Sequence, residues 1–357
     1  MLKQYPTLRY ALQRGGWYLI TFFVAVTINF YLPRLGKSNP VDIIMGQASS
    51  GLSNEAARQK EESYLKEFGL AKVDQSGELM RTEDGRPIRS SKFEQFTNYV
   101  KMTLKGDLGT SFQKYPKKVV DVILEAVPWT IALQLPTIVF GWIFGNLLGA
   151  FAAYKRGVFD KVFFPVTQLL SSIPFFVFGM VLVYVFAVVM GWFPAMGGYA
   201  SDIIPSFSWS FFKSVAYHYV LPFFSIFLIL AGGQAIGMRS MGIYELGTDY
   251  IKYAKWLGIK EGRVLLYVFR NAMLPQLTGL ALSLGTMIGG ALITEMIFSY
   301  PGLGMAMLTA IQNQDYPVIQ GCTLLITISV LIANFTVDIL IGFFDPRVKA
   351  GMQMGGN

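Results

Sequence analysis

The chain is short of the residues on which polar catalysis depends. Among 357 residues it has one cysteine, Cys322, and one histidine, His218. A single thiol forms no internal disulfide, and one imidazole with no cysteine near it in sequence is a poor start for a metal centre. Charged residues make up 15% of the chain, against roughly 25% in an ordinary soluble domain. No Gly-x4-Gly-Lys-Ser/Thr phosphate loop occurs, so this chain holds no nucleotide in the manner of a P-loop ATPase. Internal repeats and low-complexity tracts are also missing.

Apolar residues are abundant, at 53%. They gather into runs long enough to cross about 30 Å of hydrocarbon. Six such runs are read as spans: Trp17 to Leu35, Trp129 to Tyr154, Val162 to Trp192, Val220 to Met238, Leu274 to Phe298 and Val318 to Phe344. The third is over-long and contains Pro165 and Pro174, which predicts a kink, a tilt or an interfacial start. The first run, with basic residues ahead of it, is taken as a retained anchor because no small-x-small cleavage site follows.

The basic residues of the short loops set the expected orientation. One side carries Lys3, Arg9, Arg14, Lys155, Arg156, Lys161, Arg239, Lys252, Lys255, Lys260, Arg263, Arg270, Arg347 and Lys349; the other carries only Lys213. Both termini are therefore expected in the cytoplasm of a multi-pass inner-membrane protein. The net charge of +8 is mostly this topological bias and does not point to nucleic acid.

The expected organisation is all-α. Residues 1–35 hold the N-terminal segment and first span, and 36–128 form an extracytoplasmic insertion. Residues 129–347 form a five-helix core with a cytoplasmic loop at 239–273, and 348–357 a tail. Within the insertion, Asn54 to Phe68 reads as a helix capped by Ser53 or Asn54 and closed by Gly69. Val73 to Ile88 reads as a turn-rich hairpin with turns at Ser76-Gly77 and Asp84-Gly85, and Phe93 to Leu104 as an amphipathic helix. Gly141, Gly145, Gly149 and Ala153 form a small-residue stripe for close helix packing; Gly233 with Gly237 and Gly285 with Gly289 repeat the device.

In the 239–273 loop, Leu246, Tyr250, Tyr253 or Ala254, and Leu257 recur at helical spacing and predict one apolar face. Gly258 is the expected stop. Such an element either docks on a soluble partner or lies on lipid headgroups.

Two ionisable residues fall in or near spans. Glu295 is read as part of a pathway or outer gate, or as a hydrogen-bonded anchor; Asp338 is read as structural. Gly302 and Gly304 permit a sharp reversal. Gln312, Asn313, Gln314 and Asp315 then face solute or a binding protein, or form an ordinary solvated loop. His218 is placed at the outer interface with Tyr217 and Tyr219.

Several stretches together resemble one family. DYIKYAKWLGIKEGRVLLYVFRNAMLP, from Asp249 to Pro275, is similar to the cytoplasmic loop of permease subunits of binding-protein-dependent ATP-binding-cassette importers, in the dipeptide and oligopeptide branch. The likeness continues through Thr294 to Gly304, Asp315 to Gly321 and Phe344 to Arg347. Upstream, Gly106 to Phe112 and Ser172 to Pro174 also match. Where the general importer motif opens Glu-Ala-Ala, this chain reads Lys252-Tyr-Ala254.

The resemblance implies a type I permease fold and a second homologous permease that completes the pathway. It also implies two cytoplasmic ATPases gripping the permeases' Gly242 to Arg270 loops, in this chain through Leu246, Asp249, Tyr250, Tyr253, Ala254, Leu257 and Gly258. An extracytoplasmic binding protein would deliver a peptide or oligosaccharide, and ATP and Mg would sit on the ATPases with no cofactor on this chain. The rival is an autonomous secondary transporter or channel, which needs ion-coupling residues or an inverted repeat.

Overall fold

The computed structural model describes residues 6–35, 54–67, 69–74, 78–155, 157–290 and 292–344. Lys3, Ser53, the Ser76-Gly77 turn, Arg156 and the tail from residue 345 onward lie outside them. The described chain is helical, with only isolated β-bridges.

In order, the helices are α1 (Pro6–Tyr31), α2 (Asn54–Glu67), α3 (Lys92–Leu104), α4 (Val119–Lys155), α5 (Val158–Ser172) and α6 (Phe175–Leu182), which continues as a π-helical stretch over Val183–Val189. Then come α7 (Trp209–Leu246), α8 (Asp249–Trp256), α9 (Glu261–Gly285), α10 (Met287–Gly290), α11 (Leu292–Ile297), α12 (Leu303–Gln312) and α13 (Tyr316–Phe344).

Among the described residues, four helices are long and apolar enough to span a membrane: α1 with its 3-10 extension Leu32–Leu35, α4, α7 and α13. A fifth crossing arises if α5 and α6 are one broken span, since they meet at 98°. The break falls at Pro174, while Pro165 stays inside α5. Ile173, which precedes the proline, is extended, as the clash with a proline ring demands. The expected fifth span is not one unbroken helix: α9 ends at Gly285, Thr286 is a turn, and helix resumes at Met287, so the six-run reading has no counterpart in six unbroken helices. At 37 and 38 residues, α4 and α7 are about 55 Å long at 1.5 Å per residue, more than the hydrocarbon needs. Trp17, Leu19, Ile20 and Phe23 are exposed on α1, as expected of a lipid-facing helix.

The described residues fall into two compact units. The first takes Val127–Met305 with the N-terminal part of α1 and the C-terminal part of α13; the second takes Tyr18–Ala126 with Ala306–Ile328.

In the first unit, α7 packs against α5, α6 and α9. Leu133, Leu182, Leu221, Ile226, Phe298 and Tyr300 form its buried apolar centre. The glycine stripe of α4 meets α7 directly. A Cβ on Gly145 would lie 2.5 Å from the Ala231 carbonyl oxygen and 2.7 Å from Gln234 Cβ; on Gly149 it would lie 2.9 Å from Ala235 Cα. One on Gly141 would meet Leu230 Cδ2 at 2.5 Å. Ala153 continues the stripe by facing Gly242.

The other glycine pairs differ from one another. Gly285 abuts Ala333, and Gly289 lies in α10. Gly233 has open space around it and Gly237 meets only the end of Gln276, so that pair makes no close backbone approach.

A bidentate ion pair joins α5 to α7: Arg239 Nε and Nη2 lie 2.5 and 2.6 Å from the two carboxylate oxygens of Asp160. Both side chains are mostly buried. Removing one partner of such a pair strands the other, a loss of about 3–5 kcal/mol. Asp160→Ala should therefore lower the melting temperature in detergent clearly, and Asp160→Leu with Arg239→Met should recover much of the loss. A single variant that melts with the parent would refute this role.

In the second unit, α2 is closed by Gly69 at φ +64. Bridges Ala71–Arg89, Val73–Leu79 and Arg81–Pro87 form the expected turn-rich element, with Gly85 at φ +76. Helix α3 opens on a capping box: Ser91 accepts from the Glu94 N–H, and Glu94 accepts from the Ser91 N–H. Lys72 Nζ lies 2.9 Å from the Glu94 carboxylate, and these partners together hold its pKa below the usual carboxylate value.

Candidate functional site

The element from Leu246 to Asn271 is built on short-range rules. Helix α7 ends at Gly247, and Thr248, in an extended conformation, starts α8. Asp249 sits in the first turn and Lys255 in the last, each where the helix dipole favours its sign. The Asp249–Lys252 pair at 2.9 Å is solvent-exposed and contributes little. The helix stops in a Schellman motif: the Gly258 N–H donates to Lys255 O at 3.0 Å and the Ile259 N–H to Ala254 O at 3.1 Å. That geometry needs a left-handed residue, and Gly258 has φ +69.

The two faces of α8 have separate jobs. Ile251 and Ala254 are buried against Val264 and Val268 of α9, with Leu246 and Ile259 packed around them. Tyr250 adds a polar tie. Its hydroxyl donates to the Glu245 carboxylate at 2.5 Å and accepts from Asn271 Nδ2 at 2.7 Å, so one side chain bridges α7, α8 and α9. Desolvation, with Glu245 nearby, raises the Tyr250 pKa. On the opposite face Tyr253, Trp256 and Leu257 are 63%, 80% and 70% exposed. Tyr253 and Trp256 stand 6.1 Å apart between ring centroids, and Tyr244 adds exposed aromatic surface.

This corrects the single apolar face expected from spacing. Leu246 and Ala254 turn inward, Tyr253 and Leu257 turn outward, and Ile251 is the anchor that the spacing missed. An eight-residue helix with apolar groups on two sides carries no local signal for which side the chain itself covers. The pairing of Ile251 and Ala254 with Val264 and Val268, at spacings three and four, is the available cue.

The pathway candidates lie in different surroundings. Glu295 is fully buried. Its Oε2 accepts from the Gly304 N–H at 2.6 Å while Thr130 Oγ1 accepts from the Leu303 N–H at 2.9 Å, so the two side chains cap the start of α12. Gly302 and Gly304 are required by proximity: a Cβ on Gly302 would strike the Glu295 carboxylate, and one on Gly304 would lie 2.7 Å from Leu292 Cα. The left-handed turn residues are instead Ser299 at φ +46 and Gln314 at φ +53.

Gln312 is exposed, and Asn313 and Gln314 are half-buried. Asp315 is turned inward at 2% exposure, not towards solvent. Its carboxylate accepts from Ser111 Oγ at 2.5 Å, Phe112 N–H at 3.0 Å and Gln113 N–H at 3.1 Å, and it caps α13 through Val318 N–H at 3.4 Å. Gly106 and Gly109, both at positive φ, shape the loop that delivers those donors.

Asp338 lies 3.5 Å from Arg14. The His218 ring is hydrogen-bonded through Nδ1 to Ser214 O at 2.8 Å, and no cluster of three metal-ligating side chains exists among the described residues.

The described residues thus make a helical membrane protein in which a short helix is packed on its own chain by one face and presents exposed aromatics on the other. Residues 145–350 match the family described as binding-protein-dependent transport system inner membrane component, and the chain belongs to that family. It is 32% identical over 358 residues to the di/tripeptide transport system permease protein DppB of Pseudomonas aeruginosa, covering 96% of this chain and 99% of the relative. With the same coverage it is 31% identical over 365 residues to the dipeptide transport system permease protein DppB of Escherichia coli. It is 28% identical over 344 residues to the glutathione transport system permease protein GsiC of Escherichia coli, again at 96% and 99% coverage. The chain is thus a multi-pass permease component of a transport system.

Proposed function

We propose that this permease imports peptides, paired with a second homologous permease and driven by two ATPases, one of them seated on α8. The observation that carries the reading is the division of α8 into a face locked to its own chain and an aromatic face left exposed. Both termini and the α8–α9 element are cytoplasmic in this reading, and an extracytoplasmic binding protein delivers the solute. ATP and Mg belong to the ATPases. The three relatives named for di/tripeptide, dipeptide and glutathione transport favour a peptide over an oligosaccharide.

The mechanism is a lever. When the ATPases close on nucleotide they displace α8. The Ile251–Ala254 packing and the Tyr250 bridge make α8 move with the ends of α7 and α9. The ATPase equilibrium and the conformation of the pathway are then linked free energies. An autonomous ion-coupled transporter would need free carboxylates in its spans. Asp338 lies 3.5 Å from Arg14, and Glu295 Oε2 accepts from the Gly304 N–H while its Oε1 has no partner among the described residues.

Reconstitution tests this. Vesicles holding the chain alone should take up no di- or tripeptide. Adding the partner permease, the ATPases and the binding protein should give uptake that requires ATP. Uptake by the chain alone, or uptake by the full assembly without ATP, would overturn the proposal.

A further inference from the structure

The second unit holds an open-sided cavity of about 630 Å³, within the usual range for a small-molecule site. Arg34, Lys66, Lys101 and Lys118 line it, with Asp107 the one acidic side chain among the described lining residues. Asp107 is already engaged, accepting from the Gly109 N–H at 2.9 Å.

Arg34 has no matching carboxylate among the described residues. Its guanidinium donates to Phe30 O at 2.9 Å, lies 3.8 Å over the Phe30 ring and 5.7 Å from that of Tyr316. A cation drawn from water is normally paired, and aromatic faces replace only part of a counter-ion.

Gln320 is an independent sign. It lines the same cavity, is 4% exposed, and its Nε2 has no hydrogen-bond partner among the described residues. A buried amide donor left unmade costs about 1–3 kcal/mol, so Gln320 calls for an acceptor and Arg34 for one that carries negative charge.

Position narrows the chemistry. Arg34 is in the 3-10 turn that ends the first span, Lys118 directly precedes α4, and Gln320 is in the first turns of α13. The cavity therefore adjoins the ends of three membrane-length helices. These ends are extracytoplasmic in the proposed orientation, where lipid headgroups and dissolved anions can both reach them, and a guanidinium suits phosphate oxygens better than an ammonium does.

We propose that this cavity binds a phosphate-bearing anion, with Arg34 and Gln320 as its inner contacts and the lysines at its rim. Two sources share that chemistry: the headgroup of an acidic phospholipid and free phosphate.

Native mass spectrometry of the full-length chain with its co-purified partners, titrated with phosphatidylglycerol or phosphatidylcholine, provides the test. At least tenfold preferential retention of phosphatidylglycerol is expected. Arg34→Gln should abolish the preference and Arg34→Lys should restore part of it. Gln320→Leu should weaken retention severalfold with no fall in melting temperature. If Arg34→Gln fails to fold, the exposed pair Lys101→Gln and Lys118→Gln should still weaken retention severalfold. Displacement of the lipid by millimolar inorganic phosphate would make phosphate alone the ligand, and failure to displace it would make the lipid the ligand. Equal retention of both lipids, or retention unaltered by Arg34→Gln and Gln320→Leu, would overturn the site.

Discussion

A chain carrying Tyr253→Asp and Trp256→Asp is expected to fold, reach the membrane and lose ATP-driven uptake. Both side chains are exposed, so the substitutions should leave stability within roughly 0.5 kcal/mol. Exposed aromatics are the usual anchors of a docking surface, and each is worth about 2 kcal/mol or more once buried in a partner. Two of them together correspond to roughly a thousandfold weaker grip on the ATPases.

Substitutions on the inner face should behave differently. Ala254→Leu overfills the contact with Val264 and Val268, and Gly258→Val forces a β-branched residue to φ +69. Each costs on the order of 1–3 kcal/mol, and each should loosen the lever while the ATPases stay bound. Hydrolysis should then continue with little uptake. The measurements are co-purification of the ATPases, ATP hydrolysis and peptide uptake in the same vesicles. Full uptake by the double aspartate variant would remove α8 as the docking element.

The second large effect concerns Asp315. Its carboxylate gathers Ser111 Oγ and the N–H groups of Phe112, Gln113 and Val318. Asp315→Ala leaves these buried or part-buried donors unmatched, with an expected loss of about 3–5 kcal/mol. Asp315→Asn keeps an acceptor but loses the charge and should fall between. Ser111→Ala should cost about 1 kcal/mol alone and less in the Asp315→Ala background, because the two share one bond. Thermal melts in detergent read all three, and an Asp315→Ala protein melting within a degree of the parent would refute the carboxylate's role.

Asp315 also shows where one-dimensional reading stops. The Gly106–Phe112 and Asp315–Gly321 stretches are each recognisable, yet they are about 200 positions apart and no local period connects them. Only in the folded chain does one stretch supply the donors and the other the acceptor. Glu295 is similar: its partners at Thr130 and Gly304 lie on two separate segments.

Features within one turn of their cause were legible. The Gly258 stop, a kink in the proline-bearing third run and the helix from Phe93 to Leu104 follow from a handful of residues; that the bend falls at Pro174 and not at Pro165, and that Ser91 and Glu94 cap the helix at Lys92, is not read from them. The division of the fifth apolar run was not legible, because hydropathy measures lipid solubility and is blind to the turn at Thr286. The stripe at Gly141, Gly145 and Gly149 announced close packing but not its partner. Which helix fills a groove depends on shape matching along both surfaces, and α7 supplies Leu230, Ala231 and Ala235.

Membrane class, helical content and the existence of a terminated amphipathic element between spans come from hydropathy, charge placement and turn chemistry, all of which are local and additive. Which face of α8 is spent internally, which carboxylates are consumed as caps, and where Arg34 and Gln320 meet are products of long-range packing. Those outcomes depend on which buried group finds a partner once the chain has closed, and that choice is made by distances the linear order does not contain.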